Sequence, residues 1–168
     1  MVESIMKMND SISLTITEQT KITVFQSAGL ITSTRTLAKM TQEETDEYRV
    51  TTLATATILM GAAAIEALLS EAAHMLHPEL YNKKDYRMCG VPTKFKKMMG
   101  YESQEVKSIW DARKAVAHSE PNNSRSRFVG EFMNAQGAKK VIETVEKIAM
   151  EVWGDSMPDW FREGAELA

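Results

Sequence analysis

The middle of the chain carries a long run of small and apolar residues. Residues 53–75 read LATATILMGAAAIEALLSEAAHM. Apolar positions in and just before this run recur every three or four residues, which is the periodicity of an α-helix. These positions are Val50, Leu53, Thr57, Ala64, Leu68, Ala72 and Met75. Between residues 59 and 73 nearly every side of the helix is apolar, so we expect it to be buried all round or shared with a second subunit.

The boundaries of this helix follow from its flanking residues. Residues 41–44 read TQEE, which has the T-x-x-E form of a capping box and predicts that the helix begins there. His77-Pro78 predicts its end near residue 75, because the residue before a proline disfavours helix. The apolar run contains Glu66 and is short for a membrane span. We therefore expect a buried helix and no membrane contact.

Three more helices are predicted downstream of a connecting loop at residues 80–91. A short helix has Pro92 in its first turn and stops at Gly100, and the next is capped by Ser103 and reaches about Val116. The last carries one apolar stripe and ends at Gly154. The stripe consists of Ala138, Val141, Ile142, Val145, Ile148, Ala149 and Val152. The pattern predicts an all-α fold, an antiparallel four-helix-type bundle over residues 46–155.

The two ends of the chain are assigned to separate segments. Residues 1–45 form an N-terminal segment in which apolar and hydroxyl residues alternate between Ser11 and Phe25, a pattern that favours a short β-hairpin, followed by a short helix. Residues 156–168 form a C-terminal tail with Trp160. Trp110 and Trp153 fall on predicted helices, where we interpret them as core anchors.

Composition limits the compartment and the class of ligand. The chain has 168 residues, the size of one domain, and its single Cys89 and its N-terminal residues favour a reducing, cytoplasmic location. The net charge of −3 argues against indiscriminate nucleic-acid binding. Residues 83–127 nevertheless hold eleven Lys or Arg against five acids. Such a segment is either a solvated surface or a phosphate-binding patch, and both interpretations stay open.

The residues with the most specific spacing lie at the end of the third predicted helix. Residues 109–119 read IWDARKAVAHS, so four residues separate Arg113 from His118. This arrangement resembles the motif of the HEPN family, in which an arginine, a polar residue and then a histidine lie on a late helix of a four-helix bundle. The segment AAAIEALLSE at residues 62–71 resembles the family's early helix, where a glutamate commonly interrupts an apolar run. Lys114 departs from the Asn, Asp or His that often follows the arginine in nuclease members.

The resemblance covers roughly residues 46–153 and implies a metal-independent endoribonuclease of toxin–antitoxin or phage-defence systems. Arg113 and His118 would be catalytic: a histidine can take a proton from an RNA 2′-hydroxyl near neutral pH, while an arginine stabilises charge on the phosphate. Further residues are expected to support the site or to bind RNA. The supporting set is Lys114, Ser119 and Glu66, and the RNA-binding set is Lys94, Lys96, Lys97, Arg125 and Arg127. We expect a homodimer, an antitoxin or nucleotidyltransferase partner, and no metal or cofactor.

Two other interpretations of the motif remain. The domain could be a non-catalytic HEPN-like module that binds a nucleotide, an RNA or a protein. Alternatively, Arg113 could pair with Asp111, Glu120 or Glu66, while His118 caps the helix. Five helical residues turn the direction by roughly 140°, so Arg113 and His118 do not share one face of an ideal helix. A dimer in which two copies of the motif meet would relieve this difficulty.

Overall fold

The computed structural model describes residues 26–117 and 130–157, and within these ranges it contains helices and no β-strand. The helices are α1 (Gln26–Glu43), α2 (Glu47–Leu76), α3 (Pro78–Tyr81), α4 (Lys84–Arg87), α5 (Val91–Met99), α6 (Gln104–Ala117) and α7 (Ala135–Trp153). A short 3-10 turn, Gly154–Ser156, follows α7. The predicted all-α bundle is therefore confirmed. The predicted hairpin at residues 11–25 lies outside the described residues.

The four long helices α1, α2, α6 and α7 form the bundle, with α2 in contact with each of the other three. Helices α1 and α2 run antiparallel, since the start of α1 at Ser27 bonds to Glu71 while Thr34 lies beside Gly61. Helix α6 lies antiparallel to α7: Lys147 donates to Glu105 at 2.8 Å, and Tyr101, just before α6, donates to Glu151 at 2.8 Å. The short helices α3, α4 and α5 occupy the region predicted as a connecting loop and a single short helix.

Helix α1 is longer than the short helix expected in the N-terminal segment. Its buried positions are spaced at four and three residues but consist mainly of hydroxyl and small side chains. They are Ser27, Ile31, Thr34, Ala38 and Thr41. The hydroxyls of Thr34 and Thr41 donate to the carbonyls of Leu30 and Leu37, at 2.7 Å and 2.6 Å, so their burial leaves no donor unpaired. Helix α1 is thus part of the same core as α2 and α7.

The capping box predicted at residues 41–44 is wrong. Thr41 lies in the last turn of α1, and its hydroxyl is already bonded within that helix. The cap of α2 is Asp46, whose carboxylate accepts from the amide of Arg49 at 2.9 Å. Glu44 accepts from the amides of Thr45 and Asp46 in the three-residue connection. These backbone bonds lower the pKa of Glu44 and keep it ionised.

The N-terminus of α1 is held by a side chain from α2. The amide of Ser27 donates to Glu71 at 3.0 Å, and the Ser27 hydroxyl donates to the other carboxylate oxygen. An anion at this end of a helix also meets the positive end of its dipole. Burial raises the pKa of Glu71 even though these hydrogen bonds act in the opposite direction. Two helices are therefore joined through one half-buried carboxylate.

Helix α2 is buried on one side only. Its inner side contains Gly61, where an added Cβ would overlap Val141 of α7, so the glycine permits a close approach of the two helices. Its outer side is exposed or half-buried along six turns. By length and composition α2 could cross a membrane, contrary to the expectation that it is too short, but half of its most apolar stretch is packed inside the bundle. The sequence predicted that α2 is either buried on all sides or shared with a second subunit. The first of these alternatives is wrong, because one side of α2 is not buried within the chain.

The later helices follow their predicted patterns closely. All seven predicted stripe positions of α7 are buried, and Asn134 caps the helix by accepting from the amide of Gly137 at 2.8 Å. Gly100 ends α5 with φ 82°, a left-handed conformation that favours glycine. Ser103 accepts from the amide of Val106 at 3.3 Å at the start of α6. Trp153 is 3% exposed, which confirms it as a core anchor.

Candidate functional site

Arg113 lies four residues before the end of α6, on a half-buried position. Its guanidinium carbon is 4.6 Å from the centroid of the Trp110 ring, a cation–π contact between positions one helical turn apart. Two of the proposed acidic partners, Asp111 and Glu66, do not pair with Arg113 and lie nearer to lysines. Asp111 lies 3.8 Å from Lys114, and Glu66 lies 3.1 Å from Lys94. Among the described residues no carboxylate is within ion-pair distance of Arg113.

His118 immediately follows the last described residue of α6. It therefore lies outside the described residues, as do Ser119, Glu120, Arg125 and Arg127. Helix α6 is described as far as Ala117, so the predicted end of the helix near Val116 is not tested. Of the two proposed catalytic residues, Arg113 is the one that the described part of the chain includes.

A groove between α5 and α6 adjoins Arg113. It has a volume of about 630 Å³, in the range of ordinary small-ligand sites. Trp110 forms part of its wall, with five charged side chains around it. We call this surface the Trp110 groove: Trp110, Lys96, Lys107, Lys114, Glu102 and Asp111. Trp110 was interpreted as a core anchor, but it is only partly buried and joins the groove to Arg113.

The charges in the Trp110 groove are unequally engaged. Lys96 donates to Glu102 at 2.8 Å, and this contact lowers the pKa of Glu102 and keeps it ionised. Lys114 lies 3.8 Å from Asp111 and 5.9 Å from the Trp110 centroid. Lys107 is exposed and makes no ion pair within the described part of the chain. Three cations and two anions leave the groove with one net positive charge, and Arg113 adds another beside it.

Lys94 was expected to bind RNA and Glu66 to support the catalytic pair, but the two bind each other. The Lys94 ammonium lies 3.1 Å from Glu66, and Lys94 is only 6% exposed. A buried ammonium is retained only when a carboxylate compensates its lost hydration. Lys94 is thus withdrawn from the basic surface because it closes an ion pair between α5 and α2. Glu66 and Lys94 are 28 positions apart in the chain, and the sequence pattern does not predict that they are in contact.

Within residues 83–117, the remaining cations of the basic segment do not form one patch. Lys97 donates to Asp85 on α4, away from the residues that line the Trp110 groove. Lys83, Lys84 and Arg87 are exposed around α4. Among the described residues, Lys96, Lys107 and Lys114 line the groove beside Trp110, and Arg113 lies over the Trp110 ring. The missed signal is the W-x2-R-K order of residues 110–114, which puts two cations one helical turn after an indole.

A second cavity, of about 480 Å³, is lined by residues of α1, α2 and α3. Its lining includes Glu66, Glu71, His74 and Tyr81. The two carboxylates are already bonded to Lys94 and to the start of α1, and the rings of His74 and Tyr81 pack edge to face at 4.9 Å. Across residues 26–117 and 130–157, no cluster of three or more His, Cys, Asp or Glu is arranged to hold a metal ion.

Comparison of the chain with protein-family models, with curated proteins and with solved structures gives no match.

Proposed function

We propose that the protein is a metal-independent endoribonuclease of the HEPN type in which Arg113 and His118 act on the scissile phosphate. The main support for the proposal is that Arg113 contacts Trp110 and has no described acidic partner. Its guanidinium is held against Trp110 and is not neutralised by any described carboxylate. A positioned cation without an acidic partner has its charge available for a phosphate. The helical bundle and the R-x4-H spacing at the end of α6 also support it.

The reaction requires only the chain's own groups and water. His118 takes the proton of an RNA 2′-hydroxyl, and the oxygen attacks the neighbouring phosphorus. The bond from phosphorus to the 5′-oxygen breaks, and water supplies the proton to that leaving oxygen. The products are a 2′,3′-cyclic phosphate and a 5′-hydroxyl. Arg113 stabilises the negative charge that grows on the phosphate during attack.

The proposal includes a cytoplasmic homodimer in which two Arg113–His118 motifs approach each other. The exposed side of α2 supports a second copy as a neighbour, because it is rich in alanine and has Leu59 39% exposed. An antitoxin or nucleotidyltransferase partner follows from the family resemblance alone and belongs to the same proposal.

A non-catalytic binding module is the second candidate. The observation that favours it is the ion pairing of Lys94, Lys96 and Lys97 with Glu66, Glu102 and Asp85. Paired lysines contribute less to the counterion release that drives binding to an RNA backbone. This candidate predicts binding of a nucleotide, an RNA or a protein partner without strand cleavage, and the paired lysines favour a nucleotide or a protein over an RNA.

The decisive experiment is cleavage of end-labelled single-stranded RNA by the wild type, His118→Ala and Arg113→Ala. We expect each substitution to lower the rate by about 10²–10⁴, with cyclic-phosphate ends in the wild-type products and no effect of EDTA. Arg49→Ala is the matched control, because Arg49 is an exposed arginine in the first turn of α2 and does not line the Trp110 groove. Equal cleavage by all variants would indicate a contaminating nuclease and contradict the proposal. Binding without cleavage by the wild type would establish the second candidate.

A further inference from the structure

We infer that the Trp110 groove binds one nucleotide of single-stranded RNA, with the base against Trp110 and the flanking phosphates against Lys107 and Lys114. This inference rests on the proposed function and names how its substrate is held. It assigns a binding role to a part of α5 and α6 that lies outside the Arg113–His118 pair.

The wall of the Trp110 groove includes an aromatic side chain. Trp110 is partly exposed in a groove of about 630 Å³. Arg113 and Lys114 lie over the Trp110 ring, so the surface offered to a base is the part of the indole that lines the groove beside Gly90, where a larger residue would place its Cβ against the ring. Any nucleobase can stack on such an aromatic surface. In a duplex the faces of the bases are covered by their neighbours, so only an unpaired base can make this contact. The groove therefore selects single strands over duplexes.

Two lysines beside Trp110 have charge available for an anion. Lys107 is within ion-pair distance of no described carboxylate, although its charge helps to lower the pKa of Glu102, and Lys114 is only loosely associated with Asp111 at 3.8 Å. Both ammonium groups can turn towards an anion without breaking a short salt bridge. Lys96 is less available, because it donates to Glu102 at 2.8 Å. Two available cations beside an indole match a base that is flanked by phosphates.

Trp110 connects the groove to Arg113, the arginine proposed to be catalytic. Trp110 belongs both to the groove wall and to the cation–π contact with Arg113, whose guanidinium carbon is 4.6 Å from the ring centroid. A base that contacts this indole therefore brings its own phosphates close to Arg113. Trp110 is accordingly a substrate-positioning residue of the site as well as a support for the arginine.

The test is binding of fluorescently labelled single-stranded RNA by the cleavage-defective His118→Ala protein, followed by anisotropy across a range of salt concentrations. On this background, Trp110→Ala should weaken binding about ten- to a hundredfold, the effect of losing one stacked base, whereas Trp110→Phe should keep most of the affinity. Lys107→Ala should reduce the salt slope by about 0.7, the loss of one phosphate contact. Lys139→Ala, an exposed lysine of α7, should change neither quantity beyond a small general charge effect.

Two further ligands test the specificity. An abasic oligonucleotide and an RNA duplex should bind equally well to the Trp110→Ala and parent proteins, because neither offers a free base. Affinity that is the same for all three proteins, Trp110→Phe included, on single-stranded RNA would overturn the inference. So would tight binding of adenosine monophosphate alone with the same dependence on Trp110, since the groove would then be a mononucleotide site.

The outcome can be separated from that of the proposed function. If the wild type cleaves RNA but Trp110→Ala and Lys107→Ala leave binding and KM unchanged, the groove assignment fails and the nuclease proposal stands. If single-stranded RNA binding depends on Trp110 and Lys107 but the wild type cleaves nothing, the nuclease proposal fails and the groove assignment stands. Circular dichroism melts verify that the variants are folded, and Lys107→Ala remains informative if Trp110→Ala is unstable, since Lys107 is exposed.

Discussion

Gly61 determines how closely α2 and α7 approach each other. The hydrogen at this position leaves space that the side chains of Val141, Thr34 and Val145 fill. Even a single methyl group would meet Val141 first, and Val141 is fully buried and has no free volume into which to move. A side chain at position 61 must therefore separate two helices of the core.

We predict that Gly61→Ala destabilises the protein by about 1–3 kcal/mol, the usual effect of overfilling a packed core. Gly29→Ala is the matched control, because an added Cβ there meets nothing within 4 Å. Alanine at that exposed helical position should stabilise by about 0.5–1 kcal/mol through its better helix propensity. Urea unfolding of both variants measures the difference. Stabilisation by Gly61→Ala would show that α2 and α7 can separate without loss.

Lys94 shows at the residue scale why part of the site could not be predicted. Its position in a lysine-rich segment, K-x-K-K at residues 94–97, predicts an exposed cation. Its actual environment is set by Glu66 on another helix and by the burial of α5 against α2. Arg113 is different, because its main contact is with Trp110 in the same helix, at a spacing visible in the sequence. Local contacts could be predicted, and the long-range ion pair could not.

At the scale of elements, the start of α1 offers a test of how a buried carboxylate acts as a cap. Glu71→Ala should destabilise by about 0.5–2 kcal/mol, because the amide and the hydroxyl of Ser27 lose their acceptor. Glu71→Gln keeps an oxygen acceptor and removes the cost of burying a charge. It should therefore be as stable as the wild type at pH 7, or more stable.

The pH dependence of the same pair has a definite sign. Burial raises the folded-state pKa of Glu71 above its usual value of 4.5, so the stability contributed by this group is fully present below about pH 4.5 and declines as pH rises through the raised pKa. Glu71→Gln lacks this titration. The stability of Glu71→Gln relative to the wild type should thus increase from pH 4.5 to pH 7 in urea titrations. A constant difference, or the opposite trend, would contradict the role assigned to burial.

Helices α7 and α1 show how the composition of a buried stripe decides whether it can be recognised. In α7 seven of the ten buried positions are Val, Ile or Ala, so hydrophobic periodicity identifies the helix and its face correctly. In α1 three of the five buried positions are Ser or Thr, and their hydroxyls are satisfied by bonds to backbone or to Glu71. Hydrophobicity cannot report such a stripe. Thr41 has the hydroxyl that is typical of an N-cap and was therefore assigned to the start of a helix, but it lies in the last turn of α1.

At the scale of the whole molecule, the exposed side of α2 is where a second copy is expected. Ala63 lies near the middle of this side and is half-buried. If the protein is a dimer through α2, Ala63→Glu should produce monomers in sedimentation velocity at micromolar concentration while the helical signal is retained, because a charge cannot be buried unpaired at the interface. Lys139→Glu on α7 should remain dimeric. A wild-type monomer, or a dimer insensitive to Ala63→Glu, would contradict this interface.

The link between Glu71 and Ser27 also has a consequence for how the bundle opens. The acceptor for the first amides of α1 is carried by α2, 44 positions along the chain. When the two helices separate, these amides lose their partner at the same moment as the core contacts of α1 are lost. The first turn of α1 is therefore protected from hydrogen exchange by docking rather than by the helix alone. We therefore expect α1 and α2 to open as one cooperative unit.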